Sequence, residues 1–289
     1  MSEYILTGPD GTEFDIKRGP IRLSSAGLMG LSMPPFQDFT RETPARDGQT
    51  RTGYRTRSRT VFLPLLMPMG LEVDEWLASE NAFWKIMNPD ATCRLTVSSS
   101  ADVVRFLDLR FVSDGDLAFN LDPTDVTGYA FGLEMVADSP FWLGPQVLAE
   151  FAPVEDVLPF FATTTDRVFN LMSSSTVASA TVANPGDVDA WPTYTITGPV
   201  SEFSATISGG VVSSVTDVID GAVLVIDTDP TVQIAILTVD GVDTNVTRDL
   251  VGVDWRPVPA GGSVSLDVSL IGTGSLLVTF SPRFYRAWS

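Results

Sequence analysis

The sequence predicts a mainly β protein with two domains, an α+β domain that contains one helix and then a β-sandwich or jelly roll. Three observations support this fold class. Short segments that alternate apolar and polar residues recur through the 289 residues, as in half-buried strands. Residues 73–87 instead show helical spacing. The composition also changes near residue 145, from 13 basic and 20 acidic residues before it to 5 and 16 after it.

This shift in composition places the domain boundary. Residues 1–145 form the predicted first domain and residues 166–289 the second. Residues 146–165 form the predicted joint, because the stretch around them is rich in proline, which interrupts regular structure.

The first domain begins with a predicted hairpin. Segments 4–6 and 13–16 flank the turn sequence of residues 8–11, where Pro presets φ and Gly accepts positive φ. Residues 27–48 are rich in Gly, Pro and polar residues, so we expect a long loop or arm there. Residues 59–66 are then predicted to form an apolar strand.

One helix follows, over residues 73–87. Asp74 and Glu75 suit the positive N-terminal end of its dipole, and Lys85 suits the C-terminal end. Pro89 ends it. Further strands are predicted near residues 93–97, 103–112 and 127–136.

The second domain shows strand periodicity and no helix candidate. Residues 263–270 alternate polar and apolar without a break. Similar strands are predicted near residues 202–207, 222–226, 232–236 and 276–280, with Gly- and Asp-containing turns between them. Residues 184–199 contain a turn, a Trp-Pro pair and one strand, which we expect to be the first strand of this domain, with Trp191 sealing its edge.

Missing residue types exclude several chemistries. The chain has no His and a single Cys, so zinc sites built from His and Cys, His-dependent nucleophiles and an intrachain disulfide are excluded. The formal charge of −18 disfavours general nucleic-acid binding. The N-terminus lacks signal-peptide features, and the longest apolar run, 61–71, contains two prolines. We therefore expect a soluble protein made in the cytoplasm.

Six arginines fall within 19 residues, and they are the main candidate site. They are Arg41, Arg46, Arg51, Arg55, Arg57 and Arg59. The last three alternate, so in a strand they would share one face. Arg suits bidentate pairing with carboxylates, which an identical neighbouring subunit would supply. We predict that Arg51, Arg55, Arg57 and Arg59 form a subunit interface; a solvated loop face and a phosphate-binding stripe are the alternatives.

Carboxylates are numerous, and glycosidase chemistry needs only two of them. Most lie in turn sequences, however, which explain them without catalysis. Calcium binding by Asp187 and Asp189, or by Asp227 and Asp229, is another interpretation, but neither pair extends into an EF-hand loop. We therefore predict no metal site and no catalytic residues.

Cys93 lies in a predicted strand with no His to activate it, so a buried, inert thiol is favoured. The aromatic side chains of Trp142, Trp191, Trp255 and Trp288 have two interpretations: stacking on sugar rings, or packing at domain edges. Packing is favoured, because each lies beside a proline or at a strand end.

Several motifs follow one another over nearly the whole chain. They are the Asp10-Gly11 hairpin with the Gly-rich segment 27–31, residues 47–59 leading into strand 60–66, the motif Asp138-Ser139-Pro140-Phe141-Trp142, and residues 184–199 with Trp255 and the closing segment 282–288. In this order they resemble the distal tail proteins of long-tailed, non-contractile bacteriophages.

The resemblance implies a structural virion protein in the phage tail, with no catalytic residues and no cofactor. Residues 1–145 would be a split-barrel-like domain with one helix that forms a hexameric ring, and residues 166–289 a galectin-like β-sandwich outside it. The ring would join the tail tube protein to a tail-tip or tail-associated protein, and DNA would pass through its lumen without specific binding. The alternative is a carbohydrate-binding module that recognises a host glycan; a cell-wall hydrolase is disfavoured.

Overall fold

The computed structural model describes residues 2–24, 27–44, 46–67, 71–100, 103–115, 128–152 and 175–288. The chain forms two compact units. The first comprises Met1–Pro145 together with Arg283–Ser289, and the second comprises Gln146–Pro282. The described residues are mainly β with one α-helix, so the predicted fold class is confirmed.

Strands dominate the first unit. They are β1 (Glu3–Thr7), β2 (Glu13–Asp15), β3 (Arg22–Leu23), β4 (Phe36–Thr43), β5 (Arg46–Thr56), β6 (Arg59–Leu66), β7 (Thr92–Ser100), β8 (Val103–Ser113), β9 (Ala130–Ala137), β10 (Trp142–Leu143) and β22 (Arg283–Phe284). The helix α1 spans Val73–Ile86.

Most of these strands form one antiparallel sheet. Its order is β2-β1-β7-β8-β9-β6-β3, and β10 pairs with both β8 and β22. The backbone N–H of Leu23 donates to the carbonyl of Ile16 at 2.7 Å, next to β2. This bond brings the two ends of the sheet together, so the sheet is a nearly closed barrel around an apolar core.

Apolar periodicity explains both β6 and α1. Along β6 every second residue is buried, including Val61, Leu63 and Leu65. The helix buries Trp76, Phe83 and Ile86. Both elements, and the hairpin of β1 with β2, lie where the sequence predicts them.

The predicted loop or arm at residues 27–48 is wrong in part. Residues 36–43 form β4, which pairs with β5. This strand lacks apolar alternation, because both of its faces are exposed apart from the half-buried Gln37.

The C-terminal segment belongs to the first unit, whereas the sequence-based boundary assigns it to the second domain. Trp142 pairs with Phe284, and the N–H of Ala287 donates to the carbonyl of Leu31 at 3.0 Å. Phe284 and Ala287 are buried in the core of the first unit, and this burial accounts for the difference.

The second unit is a sandwich of strands. They are β11 (Val147–Phe151), β12 (Ser175–Ala183), β13 (Thr193–Thr197), β14 (Val200–Ile207), β15 (Gly210–Ser214), β16 (Val223–Asp227), β17 (Ile234–Val239), β18 (Val242–Asn245), β19 (Leu250–Val253), β20 (Ser263–Gly272) and β21 (Ser275–Phe280), with a 3₁₀ turn at Thr247–Asp249. One sheet has the order β11-β21-β13-β16-β17-β18 and the other β12-β20-β14-β15-β19. Their inward residues form one apolar core.

The sequence predicts that β13 is the first strand of this sandwich. This prediction is wrong, because β11 and β12 precede it. The predicted joint at residues 146–165 therefore begins inside the sandwich, where β11 pairs with β21. Residues 153–165 of that joint lie outside the described residues. Among those described, no helix is long and apolar enough to span a bilayer.

Candidate interaction surface

The hairpin of β4 and β5 is the main candidate surface in the first unit. The two strands form a sheet of their own, with no third strand among the described residues. Their register pairs Gln37 with Arg55 and Asp38 with Tyr54, and two irregularities interrupt the ladder. An isolated two-stranded hairpin has marginal stability in water. Its side-chain contacts, and any partner that covers it, must therefore help to hold it in place.

One face of the hairpin combines aromatic and charged groups. The guanidinium of Arg51 pairs with the Asp38 carboxylate at 2.6 Å and lies 4.7 Å from the centre of the Tyr54 ring. The Tyr54 ring also packs edge-on against Phe36, at 5.7 Å between ring centres. Phe36 in turn lies 5.8 Å from the ring of Tyr285, which anchors this face to the body of the first unit.

The opposite face carries Arg55 and Arg57. Nε of Arg55 donates to Oε1 of Gln37 at 2.9 Å, and Nε of Arg57 donates to the same oxygen at 3.1 Å. The Arg55 guanidinium also lies 5.9 Å from the centre of the Phe39 ring. An open depression of about 420 Å³ adjoins both arginines and is lined further by Thr56 and Ser58.

Large aromatic side chains remain exposed on both faces. Phe36, Phe39 and Tyr54 are 41%, 45% and 51% exposed. Clustered exposed aromatic and Arg side chains are typical of protein–protein interfaces. This composition fits a surface that a partner covers.

Arg59 is not part of that surface, so the predicted set of four interface arginines loses one member. It is 1% exposed. Its guanidinium donates to carbonyl oxygens of Pro140 at 2.8 Å, Gly30 at 2.7 Å and Tyr285 at 2.6 Å, and also to that of Ser32. Burial lowers the pKa of Arg59 to about 10, so it stays charged at neutral pH. Arg59 therefore joins three segments of its own unit.

The other predicted candidates have structural contacts. No group of three or more acidic or Cys side chains suited to a metal occurs among the described residues. The Asp227 carboxylate accepts the N–H of Asp229, as in turns. The Asp189 carboxylate accepts the N–H of Ala260, which lies 71 residues away in the chain. The Cys93 thiol is buried and donates to the carbonyl of Ile86 at 3.0 Å.

The tryptophans differ in exposure. Trp142 is fully buried in the first unit, and Trp255 packs against the core of the second. Trp191 is half-buried, whereas Trp288 is 46% exposed. Packing explains Trp142 and Trp255, and stacking on a sugar would require a more exposed ring than either offers.

The second unit has an open groove, lined by both polar and apolar residues, that the sequence prediction missed. It crosses the outward face of β12, β20 and β14 and has a volume of about 510 Å³. Register places Asp267 between Ser179 and Thr206, and Ser269 between Val177 and Ser204. The available signal was the small polar residue at every second position of β20, which periodicity assigns to the outward face.

The whole chain resembles solved structures of phage tail components. The Dit protein of phage SPP1, described as a paradigm of the hub adsorption apparatus in phages that infect Gram-positive bacteria, matches with a TM-score of 0.59 and 15% identity, over 97% of this chain and 99% of that one. The baseplate of phage P2 in its activated conformation matches with TM-scores of 0.59 (with Ca) and 0.58 (with Sr). Both have 9% identity and cover 97% of this chain and 98% of that one.

Comparisons of sequence alone find no similar protein. No family model matches the chain, and no curated protein matches it either. The likeness to the solved structures therefore concerns the fold. This chain has the fold of the distal tail and baseplate hub proteins of phages, as the order of its sequence motifs indicates.

Proposed function

We propose that this protein is a structural component of a phage tail, where it forms a hexameric ring at the distal end and joins the tail tube to the tail tip. The observation that carries the proposal is the likeness to the SPP1 hub protein over 97% of this chain. We assign it no catalytic role, since the chain lacks His and its single Cys is buried.

The hairpin of β4 and β5 supplies a way to build the ring. Residues 36–57 contain five arginines and three acidic residues, a net charge of +2 in a chain of −18, so the rest of the chain carries −20. A second copy of this chain therefore offers an oppositely charged surface. A contact between two different surfaces of identical copies closes into a ring when its rotation allows. Arg51, Arg55 and Arg57 are the interface residues in this proposal.

The partners follow from the position of such a ring. One side would contact the tail tube protein and the other a tail-tip or tail-associated protein. DNA would pass through the lumen, and an acidic chain suits a channel that must not retain phosphates.

Mass measurement tests the proposal directly. Purified full-length protein is followed by light scattering over a range of concentrations, alone and with the tube protein from the same genome. We expect a species of about six times 31.1 kDa, visible as rings in negative stain. A chain that stays monomeric even with the tube protein contradicts the ring.

The groove in the second unit favours a second candidate function, recognition of a host glycan. Its floor places the Asp267 carboxylate among Ser and Thr hydroxyls, groups that can hydrogen-bond sugar hydroxyls. A glycan array with the full-length chain tests this, with Asp267→Ala as the matched variant. The candidate fails if no glycan binds at millimolar concentration, or if the variant binds as well as the wild type.

A further inference from the structure

Two arginines of the hairpin are held together by one neutral group. Because the Nε atoms of Arg55 and Arg57 lie 2.9 and 3.1 Å from the same Gln37 oxygen, they are at most 6.0 Å apart. That separation is within the Debye length of about 8 Å at physiological ionic strength, so the two positive charges repel. We call Gln37, Arg55 and Arg57 the arginine fork.

The fork lacks a neutralising partner within the described residues. Five other arginines pair with a carboxylate there: Arg18 with Glu3, Arg51 with Asp38, Arg94 with Asp108, Arg110 with Asp138 and Arg256 with Asp254. Among the described residues, no hydrogen bond or ion pair engages the terminal guanidinium nitrogens of Arg55 or Arg57. The fork therefore presents two guanidinium ends that can each take an anion.

The surroundings of the fork fit a carboxylate. The depression beside it is open, holds about 420 Å³, and adds the hydroxyl-bearing residues Thr56 and Ser58. Guanidinium ends bind planar carboxylates in a bidentate manner, with hydrogen bonds roughly twice as strong as neutral ones. The Phe39 ring near the Arg55 guanidinium adds an apolar wall.

A matching group of carboxylates exists in the same unit. Glu72, Asp74 and Glu75 lie at the start of α1, and all three are exposed. No hydrogen bond or ion pair to a side chain occupies their carboxylates among the described residues, whereas Asp38, Asp108 and Asp138 are paired. Three exposed carboxylates within four positions form the densest such group among the described residues of the first unit.

We propose that the arginine fork of one copy binds the carboxylates of Glu72, Asp74 and Glu75 in a second copy. This inference rests on the proposed function, since it names the contact that would build the ring. The contact joins two different surfaces, so each copy gives its fork to one neighbour and its helix start to the other, as a closed ring requires. Nucleic-acid phosphate is disfavoured, because Asp38, Glu42 and Asp47 lie on the same hairpin.

Charge reversal in trans tests the pairing. The fork variant carries Arg55→Glu and Arg57→Glu, and the helix variant carries Glu72→Arg and Glu75→Arg. Each variant alone should assemble on the order of 100-fold more weakly than wild type, a size typical of losing close interfacial charge pairs. An equimolar mixture should restore assembly, because each fork then meets a helix start of opposite charge around an alternating ring.

Two controls separate charge from folding. The control variant Arg18→Glu with Arg94→Glu makes the same change in net charge at exposed ion pairs elsewhere in the first unit, and it should assemble like wild type. Thermal unfolding followed by circular dichroism checks that every variant folds. A fluorescent DNA duplex is titrated against wild type and the fork variant.

The outcomes are distinct. Restoration by mixing supports the pairing. If the wild type assembles and the fork variant assembles equally well, the inference is overturned while the ring proposal stands. If the fork variant assembles like wild type and loses only DNA binding, the inference is overturned in the same way. If only the helix variant assembles like wild type, the named carboxylates are wrong. A wild type that never assembles contradicts both the ring and this contact.

Discussion

Replacing Arg59 with Met should destabilise the first unit strongly. The guanidinium is buried and donates to four backbone carbonyls on three segments, around Gly30, Pro140 and Tyr285. Met fills similar volume but leaves those carbonyls without a donor. With about 1 kcal/mol for each of four hydrogen bonds, the loss is roughly 4 kcal/mol. Total unfolding free energies are only about 5–15 kcal/mol, so this is a large fraction.

Urea unfolding followed by Trp fluorescence measures the effect. The background carries Trp191→Phe and Trp255→Phe, so that the remaining tryptophans all lie in the first unit. With an m-value of about 2 kcal/mol per M, the midpoint should fall by roughly 2 M. Arg59→Lys keeps the charge, but one ammonium cannot reach acceptors on three segments, so it should recover less than half of the loss.

The matched control is Arg94→Met. Arg94 makes an exposed ion pair with Asp108 at 2.7 Å, and such pairs contribute about 1 kcal/mol or less. If Arg59→Met lowers the midpoint no further than Arg94→Met does, the buried guanidinium does not hold its three segments together and the reasoning is refuted.

Three further predictions concern the first unit. Burial raises the pKa of Cys93 from 9.0 to about 11, so iodoacetamide should label the folded thiol at pH 8 far more slowly than the urea-unfolded one. Because the folded pKa is the higher one, the stability that this thiol contributes should be present below pH 9 and lost as pH rises through about 11; equal labelling of folded and unfolded protein contradicts its burial. Gly30→Ala should cost more stability than Gly11→Ala, since both residues have positive φ but a Cβ at Gly30 would lie 2.4 Å from a backbone oxygen, and equal urea midpoints refute this. Replacing residues 146–282 by a short Gly-Ser linker between Pro145 and Arg283 should leave the first unit folded, with unchanged Trp142 burial in fluorescence; a molten spectrum counts against it.

Periodic burial explains why much of the fold follows from sequence. Strand β6 and helix α1 each bury one side in a core, so their apolar residues recur every two or every three to four positions. Strand β4 has no buried face, and for that reason its residues carry no such pattern. The sequence therefore predicts a loop or arm there, although the strand forms half of the candidate surface.

Hydrogen-bond acceptors that are distant in the chain explain why the sequence does not predict which arginine of the site is buried. Arg55, Arg57 and Arg59 have identical spacing, yet only Arg59 is buried. The burial of Arg59 depends on the backbone carbonyls of Pro140 and Tyr285, and Tyr285 is 226 residues away in the chain. Local spacing contains no information about such acceptors. The polar Gln37, which joins the other two arginines, gave no signal for the same reason.

The pairing of β10 with β22 has a consequence for how such proteins can diversify. The chain leaves the first unit just after Leu143 and re-enters it at Arg283, the residue that Leu143 faces across the ladder. Residues 146–282 are thus an insertion, and the strands of the first unit that flank it, β10 and β22, are adjacent. A recombination event that exchanges it must preserve only these two junctions, and the barrel keeps every strand of its own sheet. The second unit can therefore be exchanged while the first unit, with its arginine fork, keeps its own strands.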